Sequence, residues 1–231
     1  MTTGSPTKLI ALTGGSGAGK SWLANHLHRE FDDEATTLSL DNFYCDFSRH
    51  TLSDREKINF DHPDTIDWAL FENVLRALQN GETVLVPRYD FVSHTRWNNG
   101  EWRSPRPFIF VEGLWLLSSA RIRELFNLRV FLDCPESLRL QRRMTRDFKE
   151  RGRTADSILE QFGNFVAPMH ERFVEVQKPW ADLVIEQPIS QGNLDQLTAR
   201  IRAMRFESDS TDFNSFGAQP TAPLVADRQY L

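Results

Sequence analysis

Two cysteines, Cys45 and Cys134, are all that the 231 residues contain. They are too few for a disulfide framework and have no metal-ligand spacing, so both are expected as free thiols in a reducing compartment. Cys134 follows a strand-like run and fits a small buried filler. No apolar run approaches the ~20 residues needed to span a bilayer. Residues 1–8 lack the basic and apolar regions of a signal peptide. Basic charge is not in excess either: 27 Lys and Arg stand against 32 Asp and Glu, a net charge of −5. That balance argues against general nucleic-acid binding. There is no internal repeat, and no Asn-Lys-x-Asp of the kind that reads guanine in GTPase-like switches. The expectation is a cytoplasmic protein with no membrane or nucleic-acid partner. Its composition, 40% hydrophobic and 26% charged, is ordinary, and its length suits one α/β domain with its own core.

What is present begins with Gly14-Gly15-Ser16-Gly17-Ala18-Gly19-Lys20-Ser21. An apolar run precedes it and a helix-like stretch follows, which is the context of a phosphate-binding P-loop. The glycines let successive backbone N–H groups turn inward around an anion with no Cβ in the way. The helix N-terminus adds partial positive charge, Lys20 reaches the outer phosphates, and the Ser21 hydroxyl suits Mg²⁺. This segment predicts binding of a nucleoside polyphosphate.

Strand-like runs occupy 9–13, 36–40, 83–86, 108–111, 128–132 and 183–185. Helical patterns fall between most of them, clearest at 68–79, with others at 119–126, 136–150, 157–177 (interrupted near Pro168) and 194–206. Near-continuous apolar strands alternating with helices imply a doubly wound parallel sheet covered on both faces. The stretch 91–107, with His94, Trp97, Asn98-Asn99-Gly100 and Trp102, reads as a projecting β-hairpin. Residues 207–231, rich in Ser, Asp, Pro and Ala, read as a flexible C-terminal tail after a single domain at 1–206.

Ligands of such sheets sit outside the carboxyl ends of the strands. Asp41-Asn42-Phe43-Tyr44 ends the second run and Glu112-Gly113 the fourth. Asp-Asn after a strand is often only a turn. Two such acids beside a P-loop instead suggest a Mg²⁺ and acid/base site for phosphoryl transfer. From Arg139 to Arg153, the basic residues Arg139, Arg142, Arg143, Arg146, Lys149, Arg151 and Arg153 outnumber Asp147 and Glu150. A local positive patch on an acidic chain fits a small polyanion, although a solvated helix face would look similar.

Together these segments make the chain similar to the uridine kinase (uridine–cytidine kinase) family of P-loop kinases. Besides the P-loop, the resemblance rests on Asp-Asn-Phe-Tyr at 41–44 and Asn-Phe-Asp-His-Pro-Asp at 59–64. Pro-Arg-Tyr-Asp-Phe-Val-Ser-His-Thr-Arg at 87–96 and Val-Glu-Gly at 111–113 continue it. Arg-Asp-Phe-Lys-Glu-Arg-Gly-Arg at 146–153 and Gln161-Phe162 complete it. The resemblance implies a P-loop NTPase-type α/β fold with a helical lid at about 143–161, closing through Arg146, Arg151 and Arg153. It implies transfer of the ATP γ-phosphate to a pyrimidine ribonucleoside, with Asp41 as general base and Ser21, Asp41 and Glu112 around Mg²⁺. Asp61 and Arg143 would hold the ribose hydroxyls. Tyr44, Tyr89, Phe91 and His94 would form the base pocket, with Gln161 a further nucleoside contact. By residue type alone, those aromatics fit core packing equally well. A homotetramer is the implied assembly.

His62 and Asp64 read as structural, turning the chain before the 68–79 helix, and His170 as surface or core. Other readings remain open: a kinase acting on phosphoribulose, pantothenate or nicotinamide riboside, a regulatory nucleotide-binding switch, or an inactive homologue.

Overall fold

Lys8–Gly14 (β1) is buried along its whole length, which only a central strand covered on both faces allows. The computed structural model describes residues 7–55, 57–150 and 152–206. After β1 the chain enters helix α1 (Lys20–Phe31), then strand β2 (Ala35–Ser39) and helix α2 (Trp68–Gln79). The Asp67 carboxylate caps α2 by accepting from the Leu70 N–H at 3.0 Å, and Asn80-Gly81 ends it, Gly81 with φ of 82°.

Four short strands follow: β3 (Val84–Val86), β4 (Tyr89–Asp90), β5 (Thr95–Arg96) and β6 (Glu101–Arg103). The main sheet resumes with β7 (Phe108–Gly113) and β8 (Leu128–Asp133). Helix α3 (Glu136–Glu150), helix α4 (Ala155–Gln161), strand β9 (Leu183–Glu186) and helix α5 (Gln191–Ala203) complete the chain.

The five-stranded sheet has the order β2-β7-β1-β8-β9, with every pairing parallel. This is the expected α/β architecture. Successive residues of β1 face opposite sides, so Leu9 and Ala11 join one core while Ile10 and Leu12 join the other. The first core packs under Phe71, Leu75 and Trp115, the second under Leu23, Leu27, Leu197 and Ile201.

Three expectations need correction. The run at 83–86 is a strand, but it pairs antiparallel with β6 rather than joining the parallel sheet. Its Leu85 is 48% exposed, so one face stays wet, which a doubly covered sheet does not permit. The hairpin therefore begins at β3, with the β4–β5 pair as a second small sheet inside it. Only one helical turn, Ala120–Arg123, forms where 119–126 was expected. The helix at 157–177 starts earlier, because the Thr154 hydroxyl accepts from the Ser157 N–H at 3.3 Å. It stays helical past Pro168 through widened turns at Phe162–Val166 and His170–Val174, which accommodate the N–H that proline lacks. The tail at 207–231 lies outside the described residues.

Candidate functional site

β1 and β7 are neighbours whose onward connections run in opposite directions, β1 to β2 and β7 to β8. A crevice opens at such a switch point beyond the strand ends. The register sets Glu112 between Leu12 and Ser39, so Gly14 and Asp41 follow just beyond it at the same end of the sheet. From there a cavity of about 550 Å³ runs outward.

Its inner end is the glycine-rich loop. Gly17 has φ of 81°, and a Cβ there would strike the backbone oxygen of Arg139 on α3. A Cβ on Gly15 would lie 2.8 Å from both Arg139 Cδ and His170 Nδ1. The loop is therefore pressed against its backing, and glycine is required by both space and backbone angle. Gly14, Gly15, Gly17, Ala18 and Gly19 shape the loop without lining the cavity, whereas Ser16, Lys20 and Ser21 line it. Lys20 Nζ donates to the Gly15 carbonyl at 2.9 Å. Burial holds the Lys20 ammonium below its usual pKa, against the opposing pull of Glu112 and Asp41.

Opposite Lys20 lie Asp41 and Glu112. The Ser39 hydroxyl donates to Glu112 Oε1 at 2.6 Å, and its oxygen accepts from the Asp41 N–H at 3.3 Å. Burial raises the Glu112 pKa, and the nearby Asp41 charge raises it further; Lys20, Ser39 and Ser21 counter this. Two crowded carboxylates and a hydroxyl are what a hard cation relieves. The described residues contain no cluster of three or more His, Cys, Asp and Glu for a metal. Mg²⁺ needs fewer, because it keeps waters and takes phosphate oxygens. The trio Ser21, Asp41 and Glu112 therefore fits that ion.

The outer end is aromatic. Tyr44 lies 5.0 Å from Tyr89 and 6.2 Å from Phe91, ring centre to ring centre, and Phe60 stacks on His94 at 4.2 Å. His94 sits at φ of 54°, unusual for a residue with a Cβ. The Asp90 carboxylate holds the turn by accepting from the Val92 N–H at 2.9 Å and the Ser93 hydroxyl at 2.6 Å. Arg96 fastens the hairpin to the other wall, donating from Nε to the Tyr44 carbonyl at 2.8 Å and to Asp67 at 3.2 Å. The Tyr89 hydroxyl is buried and has no hydrogen-bond partner among the described residues. Burial also pushes its pKa up. Asp61 lines the middle of the cavity.

Arg143, Arg146 and Arg153 close the remaining side, together with Gln161. Arg143 donates to Ser16 Oγ and to Gln161 Oε1, each at 2.9 Å. Arg153 also donates to Gln161 Oε1. Arg151 lies outside the described residues. All the other side chains expected to bind nucleoside or metal, or to act in transfer, thus meet in one cavity.

Phe60, Ser39 and Asp147 are harder to recognise as site residues from sequence. Phe60 lies inside the 59–64 block, and Asp147 is an acid within a basic run; Ser39 carried no signal. Ser157, Glu160, Asn164 and Phe165 complete the wall from the α4 side. His62 does cap a turn, its Nδ1 accepting from the Asp64 N–H at 3.2 Å. His170 lies mostly buried behind the phosphate loop, where burial, then Arg139 and Lys20, push its pKa down to about 4. Trp97 and Trp102 do not line the cavity; both are largely exposed.

The family described as "Phosphoribulokinase / Uridine kinase family" matches residues 9–191. Uridine kinase of Clostridium perfringens (strain SM101 / Type A) is 38% identical over 195 residues, 84% of this chain and 94% of that protein. Uridine kinase of Staphylococcus haemolyticus is 36% identical over 200 residues, covering 86% and 97%. The solved phosphoribulokinase from Rhodobacter spheroides shares the fold at a TM-score of 0.57 and 14% identity, covering 79% of this chain and 71% of that one.

Proposed function

The chain belongs to the phosphoribulokinase/uridine kinase family of P-loop kinases, and from that premise we propose that it phosphorylates uridine and cytidine. The γ-phosphate of ATP passes to the nucleoside 5′-hydroxyl, giving UMP or CMP. The observation that carries the reading is the single cavity joining Lys20 and Ser21 to Tyr89 and His94, with Asp41 and Asp61 between them. A nucleotide switch has no use for the second, aromatic half. A sugar phosphate would leave that half, and the unpartnered Tyr89 hydroxyl, without a counterpart.

In this reading the loop Gly14 to Ser21 cradles the triphosphate, with Lys20 on its outer phosphates. Asp41 orients the 5′-hydroxyl and takes its proton, the task of a positioned general base. Ser21, Asp41 and Glu112 are the residues that would hold Mg²⁺, which would supply neutralising charge to the phosphates. Asp61 accepts from the ribose hydroxyls and Arg143 donates to them. Tyr44, Tyr89 and Phe91 enclose the base and His94 addresses its edge; Gln161 adds a contact from the lid. Arg146, Arg151 and Arg153 meet the charge that redistributes during transfer.

Residues 1–206 act as one domain with a lid at about 143–161, and 207–231 as an appended tail. The protein works in the cytoplasm as a homotetramer. Among the described residues no helix is long and apolar enough to cross a membrane. Light scattering after gel filtration tests the assembly.

The deciding experiment is ADP release, with ATP and Mg²⁺, against uridine, cytidine, nicotinamide riboside, pantothenate and ribulose 5-phosphate. Turnover with both pyrimidine nucleosides, at least tenfold above the others in kcat/KM (about 1.4 kcal/mol), is the expected result. A preference for any of the last three would overturn the reading.

A further inference from the structure

Asp147 has no part in the chemistry above, yet its carboxylate is wholly buried among the arginines that do. Arg146 Nε donates to its Oδ1 at 2.8 Å. Arg143 Nε lies 3.4 Å and Arg153 Nη1 3.6 Å from its Oδ2. The Asp147 backbone carbonyl also accepts from the Arg153 N–H at 3.2 Å, tying down the turn after α3.

Among the described residues three guanidinium groups meet this carboxylate, a poor device for stability alone. Desolvating the charges is costly, and one acid leaves positive charge in excess. The excess makes sense if an anion is to arrive, because all three arginines line the cavity beside Lys20. The same network reaches the phosphate loop through Arg143 and Ser16, and the lid helix through Gln161. We propose that Asp147 is a positioning residue, holding Arg146 and Arg153 as a preformed fan that meets the transferring phosphoryl group, and Arg143 in place beside them. Without its hub the fan would splay through mutual repulsion, and each long side chain would have to be ordered when the anion binds. The inference rests on the reading of the cavity as a phosphoryl-transfer site.

The test replaces Asp147 by Asn, nearly the same shape without the charge. Inorganic triphosphate is titrated into each protein by calorimetry with no nucleoside present, and kcat is measured with ATP and uridine. Asp147→Asn should weaken triphosphate binding at least about tenfold and lower kcat about 10²-fold, the scale of losing preorganised electrostatic groups. Uridine affinity without donor should fall less than triphosphate affinity, by under about fivefold, because the aromatic contacts lie off the network even though Arg143 and Gln161 belong to it. A general loss of structure would not spare it. In Asp147→Ala, formate should recover part of the triphosphate affinity, and chloride at equal ionic strength should not.

A folded Asp147→Asn protein with parental triphosphate affinity and kcat overturns the proposal. If that variant does not fold, Asp147→Glu decides. It keeps the charge but displaces the arginines, so parental affinity and kcat there overturn the proposal and a tenfold loss in both supports it. A parent that binds triphosphate yet phosphorylates neither uridine nor cytidine refutes the pyrimidine reading alone. The binding arm then still decides the role of Asp147.

Discussion

The two ends of the cavity are built on different principles. The phosphate end comes from one contiguous stretch, Gly14 to Ser21, whose backbone does the shaping against Arg139 and His170. The aromatic end gathers single side chains from separate segments: Tyr44 after β2, Phe60 and Asp61 from a loop, Tyr89 from β4, Phe91 and His94 from its turn. A backbone-made site has almost no freedom, because a Cβ on Gly14, Gly15 or Gly17 has no room. A site made of side chains can be reshaped one residue at a time. The first kind suits the part of a reaction that stays the same, the second the part that selects the acceptor.

The sharpest way to break that comparison is Lys20→Ala. Turnover should fall to background, while the unfolding temperature holds or rises, since burial already disfavours the ammonium. A folded variant with parental ADP release would remove the phosphate end from the chemistry. Asp41→Asn comes next: kcat should drop about 10²–10⁴-fold, the usual contribution of a positioned base, with nucleoside affinity changed only a few-fold. If KM rose while kcat held, Asp41 would be a binding residue.

His94→Phe probes the aromatic end. It keeps the stack on Phe60 but removes the polar edge, at a cost of about 1–3 kcal/mol in kcat/KM, or roughly 5–150-fold. Because an imidazole both donates and accepts, the parent should use uridine and cytidine within about tenfold of each other. Unchanged values in the variant would move His94 away from the base. The smallest effect concerns the loop's backing. His170 is held near pKa 4, below its ordinary 6.5, so the unfolded chain binds a proton first as the pH falls. Stability from the neutral imidazole is complete above about 6.5 and drains away towards 4. The melting temperature should fall over that window, and less steeply in His170→Phe.

What could be read in advance was what is local. The phosphate loop, the 68–79 helix and the five parallel strands each carry their signal within a dozen residues. Lys20, Asp41 and Glu112 follow from where those strands end. Pairing partners are not local, and only Glu101–Arg103 beside it sets Val84–Val86 apart from the main sheet. Caps misled in the same way: Thr154 and Ser190 each start a helix before its apolar pattern begins. Phe60 and Asp147 take their meaning from neighbours 34 residues away for His94 and a whole turn of helix away for Arg143. Arg151 and 207–231 lie outside the described residues.

Helix α3 carries both the carbonyl of Arg139 that closes on Gly17 and the guanidinium groups of Arg143 and Arg146. The interval between loop and arginines is thus counted in helical residues rather than in loop length. From Arg139 to Arg146 it is about 10 Å at 1.5 Å per residue. One inserted residue in that interval would swing everything after it by about 100°, turning Arg146 off the cavity and Asp147 away from Arg143. An insertion at Asn98 and Asn99, exposed in the connection between β5 and β6, would disturb neither. Alleles of different length should therefore cluster at 98–99 and spare 139–147, however freely single residues vary in either place.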